Sequence, residues 1–436
     1  MRDFAVSDDP AVQAQLDRLG ALSLPQGRFG LETIQALLER LGDPQRDLPP
    51  TFHVAGTNGK GSTCAFLRAM LEAEGLSVHA ATKPHLVRYN ERIRIGARPF
   101  GRLIDDALLA DLLNEVLDAG KDLSPSFFEV TAAATFLAFA RIPADACVIE
   151  VGLGGRFDAT NVLTSPAACG IATLGIDHEA FLLRPEDGVP ADPLARIAFE
   201  KASIARPGTP LVTQHYPARA AQAVADTAAS RGARLVMRGQ EWWAEADAES
   251  IAYRDHLGAL ALPTPTLAGA HQADNVALAV AMLRHQDLVR VSPAAMVKGI
   301  TEARWPARLQ LLGDGPLTAL APGRRVWLDG GHNADAGEAI ARHFGATPKL
   351  HLIIGMLANK KPDVIVGPLR SGLASLQGVP VPGHDSHVPQ SFGPEARPAA
   401  DVAEALCAIS GPGDVLIAGS LYLAGEVLRL NRQLPQ

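Results

Sequence analysis

One stretch constrains this chain more than any other: residues 53–63 read H-V-A-G-T-N-G-K-G-S-T. The Walker A spelling, G-x-x-x-x-G-K-[ST], is not met, because Gly56 and Gly59 stand three apart and Gly61 separates Lys60 from Ser62. The physics of a phosphate loop is met. A glycine turn between a strand and a helix start exposes backbone N–H groups. The helix N-terminus adds partial positive charge, and Lys60 adds a full one. Ser62 or Thr63 can reach a Mg²⁺ there. An isolated G-x-x-G-K favours an ordinary turn, but an apolar strand before it and an amphipathic helix after it reverse those odds.

The surrounding pattern supplies both flanks. Apolar residues at Leu31, Ile34, Leu37, Leu38 and Leu41 predict a helix over 31–41, stopped by Gly42 and Pro44. Residues 51–55 read as a strand. Phe66, Leu67, Met70 and Leu71 predict a helix over 62–74, and 77–82 a second strand. The alternation continues with a helix over 128–140, strands over 146–151 and 168–174, a helix over 193–205 and a strand over 210–213. Strands alternating with helices imply a mostly parallel sheet covered on both faces. Ligands of such sheets bind beyond the carboxyl ends of the strands.

Near residue 300 the texture restarts after Arg304-Trp305-Pro306, which reads as a linker. Strands over 326–328, 350–354 and 415–418 and helices over 334–344 and 402–409 predict a second, smaller α/β domain. Residues 378–398 read as a loop. The expected fold class is α/β. It comprises an N-terminal P-loop ATPase-like domain over 1–299, with a mostly parallel sheet, and a smaller C-terminal Rossmann-like domain over 300–436.

Composition narrows the function. Net charge is −7 with no Lys/Arg run, so nothing calls for nucleic acid. No stretch approaches 18 uninterrupted apolar residues, and residues 1–10 lack the apolar core of a secretory signal, so a cytoplasmic protein without membrane partners is expected. The four cysteines, Cys64, Cys147, Cys169 and Cys407, form no C-x-x-C pair and read as buried and reduced.

Other candidates follow strand ends. Glu150 closes an apolar strand ahead of Gly152, Gly154 and Gly155, where a carboxylate suits Mg²⁺. The competing reading pairs it with a nearby arginine such as Arg156. His178 lies in G-I-D-H-E and Lys201 in F-E-K-A-S. Taken alone, the histidine reads as structural and the lysine as a solvated helix residue. Asp329 and His332 lie in D-G-G-H-N, a common turn.

Taken in order, several runs resemble one family. They are the loop at 53–63, P-H-L-V-R-Y-N-E-R-I-R-I (84–95), F-F-E-V-T-A-A-A (127–134), V-I-E-V-G-L-G-G-R-F-D-A-T-N-V (148–162) and G-I-D-H-E (175–179). E-K-A-S-I (200–204), A-H-Q-A-D-N-V-A-L-A (270–279), D-G-G-H-N (329–333), I-I-G-M-L-A-N-K-K (353–361) and G-S-L-Y-L-A-G-E-V (419–427) continue the series. The sequence resembles bacterial dihydrofolate synthase/folylpolyglutamate synthase, a branch of the Mur-type ATP-dependent amide ligases. The resemblance runs from about residue 30 to about 428.

The resemblance implies ligation of L-glutamate to dihydropteroate or a reduced folate, driven by ATP through an acyl phosphate, in a chain that is monomeric by family default. Gly56, Thr57, Asn58, Gly59, Lys60, Gly61 and Ser62 would cradle the phosphates. Ser62 and Glu150 would hold a Mg²⁺, and His178 a second. Lys201 falls where the family carries a carbamylated lysine, which is carboxylate-like and so compatible with a metal. Asn275, Arg308 and Asp329 resemble nucleotide contacts. His85, His332 and Ser420 resemble substrate-side residues.

Departures are local. The family usually reads T-S-P-H-L where this chain has Thr82-Lys83-Pro84-His85-Leu86. A protonated lysine cannot ligate a metal. Either Lys83 turns away, or it meets phosphate or substrate directly and partly replaces the cation, and the second is the expectation. Ser203 and Ala418 stand where Gly and Thr are usual. Residues 183–192 are longer and more polar than the pattern leads one to expect, and read as a lid or an insertion. The rival readings are another Mur-type ligase, or a nucleotide-binding regulator without catalysis. The first would need a UDP-sugar-binding domain, and the 52 residues ahead of His53 are too few for one.

Overall fold

The computed structural model describes residues 6–22, 30–345 and 349–435. The chain divides into two compact units. The first comprises Met1–Lys83, Arg88–Thr266 and Ala273–Ala303, the second Pro84–Val87, Leu267–Gln272 and Arg304–Gln436.

The first unit is built on an eight-stranded sheet. Its strands are β1 (Thr51–Ala55), β2 (Val78–Ala81), β3 (Ile93–Ile95), β4 (Arg102–Leu103), β5 (Ala146–Glu150), β6 (Ala168–Ile171), β7 (Pro210–Thr213) and β8 (Arg234–Met237). Their order is β4-β3-β2-β5-β1-β6-β7-β8. Strands β2, β5, β1, β6, β7 and β8 run parallel, and β3 and β4 close one edge antiparallel. Every residue of β1 and β5 is buried. That is why β5 reads as a continuous apolar run up to Glu150 rather than as an alternation, and why even Thr51 and His53 of β1 lie inside.

β1 lies between β5 and β6, so the glycine loop leaves the sheet at the point where the strand order reverses, the usual ligand crevice of open α/β sheets. The helix Lys60–Ala73 follows at once and buries Phe66, Leu67, Met70 and Leu71. The helix Pro293–Glu302 packs against it. There, a Cβ on Gly299 would lie 2.5 Å from the Met70 backbone, so only glycine permits the approach.

Several elements differ from expectation. The strand expected over 168–174 stops at Ile171, because Thr173 O accepts from Thr57 N at 2.8 Å and so serves the glycine loop instead. An antiparallel three-stranded sheet, β9 (Trp242–Ala246), β10 (Ser250–Asp255) and β11 (Gly258–Pro263), had no counterpart in the sequence reading. The helices Pro10–Gly20, Asp106–Ala119 and Ala218–Ser230 were likewise unforeseen.

The second unit carries a six-stranded sheet of order β12-β13-β17-β14-β15-β16. The strands are β12 (Gln310–Leu311), β13 (Val326–Asp329), β14 (Leu350–Ile354), β15 (Leu373–Gly378), β16 (Arg397–Pro398) and β17 (Val415–Ala418). All pairs are parallel except β12 with β13. The helices Ala334–Phe344 and Leu421–Leu430 follow β13 and β17, each capped by a side chain, Asn333 or Ser420. The stretch expected to be one loop, 378–398, contains the 3₁₀ turn Pro389–Phe392 and ends in β16, which pairs with β15. Both units are α/β, the first P-loop-like and the smaller second Rossmann-like.

Among the described residues no helix is long and apolar enough to cross a membrane. Cys64, Cys147 and Cys169 are buried free thiols, whereas Cys407 is exposed, against the expectation of burial. It falls on the outer side of the short helix Val402–Cys407, which buries Val402, Ala405 and Leu406 instead.

Candidate functional site

The geometry of the first unit converges on the glycine loop. Gly59 caps the helix Lys60–Ala73 at φ +83°, a left-handed value that favours glycine, and an added Cβ would lie 2.3 Å from Asn275 Oδ1. Asn275 is thereby placed directly on the loop. Thr57 ties the loop to the segment after β6, its Oγ1 donating to Gly175 O at 2.8 Å.

Two lysines meet at one carbonyl. Lys60 Nζ donates to Gly56 O at 2.9 Å and to Thr57 O at 3.2 Å. Lys201 Nζ, from the helix Pro193–Ala202, donates to the same Gly56 O at 2.9 Å. Lys201 is only 4% exposed, so it is not a solvated helix residue. Burial and the neighbouring Lys60 charge pull its pKa down to about 7, against the weaker pull of Asp177 and Asp158. Gly56, Thr57, Lys60, Gly152, Leu153, Gly154, Asp177, His178, Leu182 and Lys201 line one small cavity. His178 stands at φ +54° at the start of the short helix Glu179–Leu182, a strained backbone state for a non-glycine residue.

Glu150 ends β5 and is buried, accepting from Lys83 N at 3.0 Å. It is not Arg156 that Glu150 faces. That guanidinium lies 2.5 Å from Glu186 and 3.0 Å from Glu200. Lys83 turns its ammonium toward Gly152, 3.5 Å from where a Cβ would stand, and toward the buried Asp158. Burial works against the Asp158 carboxylate, but Lys83 and N–H donors from Gly152, Leu153 and Thr160 hold its pKa below the usual value. Asp158 was not singled out from the sequence, where only its place within G-R-F-D-A-T-N signalled it.

The donor set fits a hard divalent cation. Ser62 and Glu150 offer oxygen near the helix start, both residues buried, and the hydroxyl of Thr63, next to Ser62, has no hydrogen-bond partner among the described residues. Lys201 as an ammonium does not fit a cation, whereas as a carbamate it does.

In the second unit Asp329 is buried and its pKa is raised by that burial, although Arg308 opposes the shift. Its oxygens accept from Leu309 N at 2.8 Å and Gly331 N at 2.6 Å. It therefore fixes the turn that presents Arg308, whose neighbours Ala307 and Leu309 both hold positive φ, +56° and +44°. His332 Nδ1 lies 3.1 Å from Gly330 O, Ser420 caps the helix Leu421–Leu430 and His85 is buried. A larger cavity of about 470 Å³, between residues 311 and 326, contains none of the expected site residues.

One metal-like trio turns out to be structural. Asp255, His256 and His285 come within 4.8 Å of one another. The Asp255 oxygens already accept from Arg284 at 2.6 and 2.7 Å, Tyr253 at 3.0 Å and Leu257 N at 2.8 Å. That fills the lone pairs of a carboxylate and neutralises its charge.

A phosphate-type loop at the switch point of a parallel sheet, followed by a Rossmann-like unit, defines a two-domain P-loop α/β protein. No family model matches the chain. Among curated proteins it is 32% identical over 351 residues to the dihydrofolate synthase/folylpolyglutamate synthase of Bacillus subtilis, covering 76% of each chain. A structure described as Escherichia coli FolC in complex with DHPP and ADP superposes at TM-score 0.83, with 29% identity and 97% of each chain covered. A bifunctional folylpolyglutamate synthase/dihydrofolate synthase with Mn, AMPPNP and L-glutamate bound superposes at TM-score 0.81, with 28% identity, 96% of this chain and 97% of the other. The chain belongs to the dihydrofolate synthase/folylpolyglutamate synthase family.

Proposed function

We propose that this chain is an ATP-dependent acid–amino-acid ligase that adds L-glutamate to dihydropteroate, to reduced folates, or to both. The observation that carries the reading is the convergence of Lys60, Lys201 and His178 on one cavity at the glycine loop. The Lys60 ammonium at the glycine loop and the helix N-terminus suits a polyphosphate, and His178 with a carbamylated Lys201 suits the cation that accompanies one.

The substrate carboxylate attacks the γ-phosphorus of ATP, the P–O bond to ADP breaks, and an acyl phosphate forms. The glutamate amine then attacks the acyl carbon, losing a proton, and phosphate leaves. The protein's part is charge neutralisation and positioning. Gly56 to Ser62 cradle the phosphates with their N–H groups, and Lys60 swings from Gly56 O to the β- and γ-oxygens. Ser62 and Glu150 would hold Mg²⁺, with His178 and a carbamylated Lys201 at a second, and the metal would neutralise the transferring phosphoryl group. Asn275 and Arg308 serve the nucleotide, and Asp329 does so by fixing the Arg308 turn. His85, His332 and Ser420 serve the substrates, and Lys83 lends its charge beside Gly152. In this reading residues 1–299 carry ATP and the pterin, residues 300–436 complete the ligase, and the enzyme works as a cytoplasmic monomer.

The test is ADP release with ATP, Mg²⁺ and L-glutamate, supplying 7,8-dihydropteroate in one reaction and tetrahydrofolate in another. Turnover that requires every component supports the ligase, and the preferred pterin assigns the dominant activity. ATP binding without turnover on either pterin overturns it in favour of a regulator.

A further inference from the structure

The segment after His178, residues 179–192, includes the stretch 183–192 that stood out in the sequence for its length and polarity. Its surface is mostly exposed, yet Leu182 is buried and Glu186 ties the segment to two arginines. Glu186 grips Arg156 with both oxygens, at 2.5 and 3.1 Å, and Arg196 at 2.8 Å. Glu200 lies 3.0 Å from Arg156 and 3.1 Å from Arg196. The result is a neutral square of two arginines and two glutamates, with side-chain exposures of 13% and 7% for the arginines and 24% and 5% for the glutamates. Phe199 lies under both guanidinium groups. Such desolvated, bidentate pairs fix geometry far better than surface ion pairs do.

The square joins three pieces of chain, and each carries part of the cavity wall. Arg156 ends the glycine run 152–155, and Gly155 packs so closely on the Lys201 helix that a Cβ would lie 2.6 Å from Glu200 O. Arg196 and Glu200 lie on the Lys201 helix itself, and Arg196 Nε also donates to Leu182 O at 3.2 Å. Glu186 closes the segment that begins with His178 and puts Leu182 into the wall. Removing the Glu186 carboxylate takes away the ion pairs of the third piece and leaves it the Arg196 Nε bond to Leu182 O, while the other two stay joined through Glu200 and through Arg156 N donating to Glu200 O at 2.8 Å.

We infer that Glu186 is a positioning residue: it latches the segment 178–187 against Arg156 and Arg196, and so sets where His178 stands relative to Lys60 and Lys201 in the cavity. Because the two arginines hold the Glu186 pKa down at about 2, the latch stays charged at any pH at which the protein works. The inference rests on the reading that the cavity takes nucleotide phosphates and a divalent metal.

The test compares wild type, Glu186→Gln, Glu186→Asp and Arg196→Lys. Hydrogen exchange of the unliganded protein reads the latch directly. Faster exchange confined to residues 178–187 in Glu186→Gln is expected, with exchange in β1 and β5 unchanged. In turnover, Glu186→Gln is expected to raise the metal concentration for half-maximal rate about tenfold, as losing a partner that orients a metal ligand does. The KM for L-glutamate stays within twofold. Glu186→Asp restores part of the loss, and Arg196→Lys, which keeps the charge but not the planar fork, behaves like Glu186→Gln. Unchanged exchange over 178–187, or an unchanged metal titration in a variant that turns over, overturns the latch. No turnover by wild type overturns the ligase reading instead, and the exchange measurement then still decides the latch.

Discussion

Lys201 offers the sharpest quantitative test. A lysine can take up CO₂ only as the neutral amine: the nitrogen lone pair attacks carbon, a proton leaves, and a carbamate of charge −1 results. Burial and Lys60 lower the Lys201 pKa from 10.5 to about 7. About half of Lys201 is then neutral at pH 7, against about one in three thousand for an unshifted lysine, a gain of more than a thousandfold. Wild-type protein in ¹³C-bicarbonate at pH 8 should therefore show one carbamate carbonyl resonance that Lys201→Arg lacks. Lys201→Ala should lose turnover about a hundredfold or more, and high acetate should restore part of it by supplying the missing carboxylate. The linkage sign adds a second readout. Between the folded pKa near 7 and the unfolded value of 10.5 the unfolded chain binds more protons. Stability of the bicarbonate-free protein should consequently rise with pH across that window, by up to about 1.4 kcal/mol per pH unit. Absence of a Lys201-dependent resonance, together with full turnover by Lys201→Arg, would refute the carbamate.

Four further outcomes are expected. Lys60→Met should lower kcat about a hundredfold or more, while hydrogen exchange in β1 stays unchanged, since the carbonyls that Lys60 meets at Gly56 and Thr57 belong to the loop. Gly59→Ala should abolish nucleotide binding by calorimetry, because the left-handed φ and the Asn275 contact both exclude a Cβ. Lys83→Ser strips Asp158 of its counter-charge. A loss of about 1–3 kcal/mol in denaturant unfolding and a raised Mg²⁺ requirement are expected, and an unchanged Mg²⁺ titration would remove Lys83 from the reaction. Asp329→Ala leaves Leu309 N and Gly331 N without acceptors. It should weaken ATP as much as Arg308→Ala does, and the double variant should be no worse than either.

What was legible in the sequence was whatever the local pattern controls. The strands Thr51–Ala55, Pro210–Thr213, Leu350–Ile354 and Val415–Ala418 are fully buried and bounded by turn residues or a change of periodicity, so their limits could be read directly. The glycine loop was legible because its chemistry is written in consecutive residues. Lys201 was readable only by resemblance, since helical spacing does not reveal that a loop carbonyl from residue 56 covers it. The Glu186 square was illegible, because its four members are scattered over some forty-five residues and meet only in the fold. The sheet β9–β11 escaped because Trp242–Ala246 has burial on alternate residues for only three positions before it turns polar, too short a signal to separate from a loop.

The placement of β1 has a consequence for how the protein comes into being. Thr51 pairs with Cys147 and Phe52 with Ala168, so both flanking strands leave the ribosome roughly a hundred residues after the strand they enclose. Until then the strand that ends in the loop, buried throughout in the folded protein, has no ladder on either side. Early folding must therefore lean on the local helix Lys60–Ala73, and the central closure waits for long-range contacts, the slow kind. During synthesis the strand that carries the glycine loop therefore stays unpaired while both of its neighbours are still being made.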